Sequence, residues 1–212
     1  MATALAKAAM ASGAAGVTGA SGFGIYKQFF SGVSIRDTIL NSKEHSNKWN
    51  KFLEAKDPKW SGIQEEYGKS NSKPTDSDGK EIKKEDLPSW CVSESGKDYS
   101  GKEDSIFKAI LRWCYVNTNN FGEQVKALGR ELVGDESDDT NAWKAAWNKY
   151  KDKKSQAQWK ITGSSDDTKL NGDKDTDGSP ILKTWCSNQK SVAMYANGAE
   201  DTFSKFKEFC LK

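Results

Sequence analysis

Histidine is almost missing from this sequence. One residue, His45, stands in a chain of 212. A Ser-His-Asp or Cys-His device would therefore have to run through that side chain. It lies in Lys43-Glu44-His45-Ser46, just before an expected helix start, and is read as an exposed residue with no catalytic role. Aliphatic residues are also scarce: Leu, Ile, Val and Phe together number 35. So low a share signals disorder only when net charge is large. Here 32 basic and 30 acidic residues leave +2, and eight Trp with six Tyr supply core material. The expectation is a folded, very polar protein with a small aromatic core. Collagen, coiled-coil and multi-pass membrane classes are excluded. With no excess of basic charge, there is no footprint for nucleic acid.

Chemical motifs are equally thin. No Cys pair has CxxC spacing and no Cys has His near it in sequence, which argues against zinc. A phosphate-binding Gly loop followed by Lys-Ser/Thr is missing. Gly13 to Gly24 is glycine-rich, but no strand precedes it. Paired carboxylates occur at Glu65-Glu66, Asp138-Asp139 and Asp166-Asp167. Acid–base catalysis needs carboxyls that converge in a cleft with shifted pKa values. Neighbouring carboxylates in polar segments are expected to face solvent. No cofactor is expected.

What is present begins at the N-terminus. Residues 8–26 carry no charge and lie between Lys7 and Lys27. A membrane-spanning helix needs about 20 largely apolar residues. This stretch is long enough, though rich in Ala, Gly, Ser and Thr; Ala15 and Gly19 suit close helix contact. An uncleaved anchor is the first reading. A signal peptide cut near Thr18-Gly19-Ala20 and a Gly/Ala tail are the alternatives. Lipidation after the apolar run is excluded, because the first Cys is Cys91.

The remainder reads as a duplication. Ser46-Asn47-Lys48-Trp49 is echoed by Thr140-Asn141-Ala142-Trp143, Trp90-Cys91 by Trp185-Cys186, and Phe107 and Cys114 by Phe203 and Cys210. These landmarks recur in one order, at offsets between 94 and 96. The expected organisation is residues 1–32 as membrane anchor or signal, 33–117 as a first helical unit and 118–212 as a second. Four cysteines allow three pairings. Duplication selects Cys91 with Cys114 and Cys186 with Cys210, one disulfide inside each unit. Such bonds belong to an oxidising compartment.

The fold class expected is mainly α. A short helix, or the end of the anchor, is expected over 36–42. Ser46 is expected to cap a helix running to about Ala55, with Trp49, Phe52 and Leu53 on one face. Ser100 and Glu103 are spaced as a capping box before the stripe Ile106, Phe107, Ile110, Leu111 and Cys114. Val125, Leu128 and Leu132 predict a helix ended by Gly134. Thr140 is expected to cap a helix carrying Trp143, Trp147 and Tyr150, and Phe203, Phe206 and Cys210 mark the last. Residues 68–80 and 163–180 read as polar loops, and 158–162 as a short strand. Inside the second loop, Asp173, Asp175 and Asp177, followed by Gly178, match the first half of an EF-hand loop. Thr184 stands where the bidentate Glu belongs, so a solvated turn is preferred to a calcium site.

The Lys-flanked Ala/Gly-rich start, Ile35-Arg36-Asp37-Thr38-Ile39-Leu40, Ser46-Asn47-Lys48-Trp49 and Arg112-Trp113-Cys114 together resemble uncharacterised paralogous protein families of haemotropic mycoplasmas (haemoplasmas). The second unit departs from the pattern with Glu208-Phe209-Cys210. No activity or catalytic residue comes with those families. The resemblance implies a membrane-anchored or exported, non-enzymatic cell-surface protein that meets host surface molecules or contributes antigenic diversity. The alternatives are a secreted or internal hydrolase with a carboxylate site outside known motifs, and a calcium-organised binding module.

Overall fold

The structure, a computed structural model, describes residues 32–134 and 139–212. The apolar segment 8–26 and Asp138 lie outside the described residues. Among those described, there are nine helices and one two-stranded ladder. No helix among them is long and apolar enough to cross a membrane.

Helix α1 (Ile35–Asn41) starts at Ser34, whose Oγ accepts from Asp37 N at 3.0 Å; it buries Ile35 and Ile39. Strand β1 (Lys51–Phe52) follows, then α2 (Trp60–Gly68), which buries Trp60, Ile63 and Tyr67. Helix α3 (Leu87–Ser95) has Pro88 in its first turn, where the missing N–H has no intrahelical partner to lose. Helix α4 (Ser105–Trp113) turns Phe107, Ile110 and Trp113 inward, and β2 (Tyr115–Val116) then pairs antiparallel with β1. Helix α5 (Phe121–Ala127) opens with a reciprocal cap between Asn120 and Glu123. Helix α6 (Thr140–Lys153) buries Trp143, Trp147 and Tyr150 along one stripe. The short α7 (Asp167–Leu170) leads to α8 (Asp175–Gln189) and α9 (Ala199–Cys210).

Buried apolar side chains form two clusters. One draws on residues 35–116 and the other on residues 121–210. The same contacts recur in both. Tyr67 of α2 meets Trp113 of α4 edge to face with centroids 5.0 Å apart; Tyr150 of α6 meets Phe209 of α9 in the same way at 5.1 Å. The N–H of Ile35 donates to Lys97 O, as that of Phe121 donates to Val192 O. The ladder between β1 and β2 is matched by a bridge from Leu132 to Leu211. Between the halves lies a polar knot, in which Gln124 Oε1 accepts from Asn117 Nδ2 at 2.8 Å and from Asn119 Nδ2 at 3.0 Å.

Several local expectations are corrected. Residues 46–55 form turns and β1 rather than a helix. Asn47 Oδ1 accepts from Trp49 N, and Asn50 Nδ2 donates to Tyr115 O, so Asn side chains and the β2 strand take the bonds a helix would need. The counterpart of Trp143 in the first half is consequently Trp60 on α2, seven residues before Tyr67 as Trp143 is before Tyr150, and not Trp49. Asp104, rather than Ser100 with Glu103, caps α4, accepting from Ile106 N at 2.7 Å. Asp139, rather than Thr140, caps α6. Helix α5 ends at Ala127, and Gly129 at φ +66 follows; Leu132 is free to make its bridge. Residues 158–162 are turn and coil, with Ile161 N donating to Tyr150 Oη at 3.1 Å. The polar stretch 163–180 contains α7 and the first turns of α8, where Pro180 is accommodated.

Candidate functional site

Disulfides join Cys91 on α3 to Cys114 just past α4, and Cys186 on α8 to Cys210 at the end of α9, with Cα separations of 5.3 and 5.7 Å. Each staples two of the helices that build its cluster. All four cysteines are buried.

The stapled pair α3–α4 forms one side of a groove of about 630 Å³, closed on the other side by residues 72–77. Half-buried Trp90, Ile106 and Ala109 and fully buried Trp113 give it an apolar floor. Trp113 is fixed from three directions. Its Nε1 points to Ser72 O at 3.4 Å, Tyr67 meets its ring, and the Arg112 guanidinium lies 4.1 Å above the ring centroid. Trp90 is the aromatic surface left partly uncovered.

The charged rim is already paired. Lys97 Nζ reaches Glu94 Oε1 at 2.7 Å and Lys108 Nζ reaches Glu103 at 2.6 Å; Lys73 lies 3.9 Å from Glu81. Asp76 Oδ1 accepts from Asp78 N and Lys80 N of its own turn. Arg112 donates to Tyr195 O and to Asn197 Oδ1 in the other half. Burial holds its pKa below the ordinary guanidinium value, and the Glu66 carboxylate opposes that shift. Glu94 Oε2 is buried and has no hydrogen-bond partner among the described residues.

The halves meet beside this groove. Asn197 N donates to Glu66 Oε2 at 3.0 Å, and Asn197 Nδ2 donates to Glu66 O. That backbone bond and the Lys69 ammonium hold the Glu66 carboxyl below the usual range. Tyr195 packs into the first cluster over Gly62. In the second half, Lys153 and Lys149 converge on Glu208, and the Lys153 bond is the leading cause of its lowered pKa. Burial pushes the Tyr67 phenol up to about 12, and Tyr67 Oη donates to Ile82 O at 2.6 Å.

The structure disperses the remaining candidates. His45 is half-buried rather than exposed; its ring meets Phe107 edge on, with centroids 5.3 Å apart, and Glu44 lies 3.8 Å from it. Glu66 binds Asn197, while Asp166 and Asp167 serve as an α7 cap and a loop brace, with pKa values lowered by bonds to Lys169 N and the Ser164 hydroxyl first of all. Asp173 is exposed; its Oδ1 faces Lys154 Nζ, which also donates to Asn171 O and Gly172 O. An ammonium thus sits among the oxygens of that turn. Asp175 and Asp177 occupy the first turn of α8, and Gly178 lies inside the helix, so the EF-hand-like residues do not share one loop. Among the described residues, no group of three or more His, Cys, Asp or Glu side chains is placed to hold a metal. Sequence reasoning missed the groove because its walls come from three segments that share no periodicity. The one local signal was Trp90 beside Cys91. Comparison with protein-family models, curated proteins and solved structures returns no match.

Proposed function

We propose that the chain is an exported or membrane-anchored, non-enzymatic binding protein displayed at a cell surface, and that its two halves arose from one duplicated unit. The observation that carries the reading is the pair of disulfides, one within each cluster. Disulfides of this structural kind persist in oxidising compartments and are rare where thiols are kept reduced. The uncharged segment 8–26 supplies the matching route to a membrane. The recurrence of the edge-to-face aromatic contact, the inter-segment bridge and the helix staple supports duplication. A surface role suits a molecule whose aromatic residues are mostly buried and whose charged residues are mostly exposed.

The test uses intact cells carrying an epitope after Lys212, treated with an external protease and, in parallel, with a membrane-impermeant thiol reagent after mild reduction. Loss of the epitope while a cytosolic control survives, with thiols labelled only after reduction, is the expected result. An epitope protected until the membrane is broken would overturn the surface reading.

A further inference from the structure

We propose that the groove between α3, α4 and residues 72–77 binds an uncharged saccharide, seated on the uncovered part of Trp90. This inference rests on reading the chain as a binding protein and is independent of where that protein is displayed.

The second half shows what closing the same place requires. Cys186 and Cys210 occupy the positions of Cys91 and Cys114, so Trp185 corresponds to Trp90 and Lys205 to Ala109. Trp185 is only 5% exposed. Lys205 sends its Nζ 2.7 Å to Lys160 O and straps the chain that follows α6 onto α9. Trp159 from that same chain packs against Phe209, with centroids 5.9 Å apart. In the first half, Ala109 has no arm to cross the gap. The chain following α2 touches α4 through the long Trp113–Ser72 bond and leaves the groove open.

The lining selects the ligand class. A volume of about 630 Å³ lies in the range of small-molecule sites, roughly 300–1,000 Å³. Trp90, Ile106 and Ala109 offer a flat apolar surface of the kind that the C–H face of a pyranose covers. Exposed hydroxyls from Ser72, Thr75, Ser77 and Ser105 stand around it. A strongly ionic ligand would have to compete with ion pairs already made by Lys73, Lys97 and Lys108. A polyhydroxylated neutral ligand leaves those pairs intact. An ammonium has three donors and a carboxylate about four acceptor sites, so each paired group can still hydrogen-bond a sugar hydroxyl. The recognition is thus apolar on one face and hydrogen-bonding at the edge.

The experiment titrates the purified, disulfide-intact full chain with neutral di- to tetrasaccharides and records amide NMR shifts and tryptophan fluorescence. Free oligosaccharides and the same glycans on a carrier glycoprotein form separate arms, which identify the source of the ligand. Saturable shifts confined to residues 72–77, α3 and α4 are expected. Trp90→Ala is expected to weaken binding tenfold or more. Ser105→Trp, which fills the groove from an exposed helix start, is expected to abolish binding with an unchanged melting temperature, and this second variant stands even if Trp90→Ala fails to fold. The proposal is overturned by no saturable shift with any saccharide, by binding that survives Ser105→Trp, or by binding of acidic peptides in place of saccharides. None of these results bears on the protease experiment, so the two readings fail separately.

Discussion

The two halves build the same frame from different residues. In the first, Tyr67 packs on Trp113; in the second, Tyr150 packs on Phe209. The first half uses helices of nine residues at α2 and α3, whereas the second uses fourteen at α6 and fifteen at α8. Those added turns bring Trp147 against Gly178 and let Trp147 Nε1 donate to buried Leu170 O. The charge beside each last helix is also inverted. Arg112 stands across Asn197 from Glu66 in the first half, and Glu208 is met by Lys149 and Lys153 in the second. A shared staple therefore tolerates a change of ring size and a reversal of sign. What differs is closure, since the second half covers its Trp185 and the first leaves Trp90 in an open groove.

The largest expected effect comes from a glycine pair that separates packing within a half from packing between halves. A methyl at Gly178 would drive into the Trp147 indole, which is held by its bond to Leu170 O. Gly178→Ala is expected to cost about 4 kcal/mol through overpacking and an orphaned donor. A methyl at Gly62 meets only the hydroxyl end of Tyr195, a side chain that can swing away. Gly62→Ala is expected to cost under about 1 kcal/mol and to loosen the contact between halves. Urea titration of both variants checks this, and equal losses would contradict the assignment.

Next in size is the staple. Cys114→Ser opens a link spanning 23 residues and is expected to cost about 3 kcal/mol in the chain-entropy model. Hydrogen exchange should show the loss concentrated in α2, α3 and α4. Equal loss of protection in α6 and α9 would show that the halves do not unfold separately.

The tyrosine pair sharpens the comparison further. Tyr150 Oη donates to Asn171 Oδ1 at 2.7 Å and accepts from Ile161 N, whereas Tyr67 Oη makes one bond, to Ile82 O. Tyr150→Phe is expected to cost about 2 kcal/mol and Tyr67→Phe about 1, because more buried partners are orphaned in the first case. Thermal melts of the two variants measure the difference.

The smallest effect is acid-dependent. The Glu66 carboxyl is held below its ordinary value, chiefly by Asn197 N. Its contribution is therefore present above the unfolded pKa and fades as pH falls through the lower folded value. Acidification below about pH 4.5 should loosen the contact between halves, and Glu66→Gln should flatten that part of the profile. NMR shifts of Asn197 against pH provide the readout. An unchanged profile in the variant would remove Glu66 from the contact.

Where one helix face decides everything, the sequence was legible. The stripes on α4, α6 and α9 fell where periodicity placed them, and α1 lies within one residue of its expected span. So did the cysteine pairing, because a duplicated order of Trp and Cys leaves one pattern that treats both halves alike. Legibility failed where a segment's partners are distant. Asn47 and Asn50 spend their bonds on Tyr115, more than sixty positions away, and residues 46–55 lose the helix their spacing suggested. Helix α8 was hidden by Asp, Gly and Pro in its first turns, residues that local propensity assigns to loops. The indole of Trp147 and the carbonyl of Leu170 make that start a packed one.

By itself the sequence determined a mainly helical, aromatic-cored chain and its two disulfides, since 3.6-residue periodicity and a repeated Trp-Cys order are properties of short stretches. Only the tertiary structure decided that Trp60 answers Trp143, that Lys154 occupies the oxygens of the Asp-rich turn, and that the first half stays open beside Trp90 while the second is strapped shut. Each of these depends on which side chain can reach across a gap between segments far apart in the chain. Reach is a matter of distance in the folded molecule, and no local pattern records it.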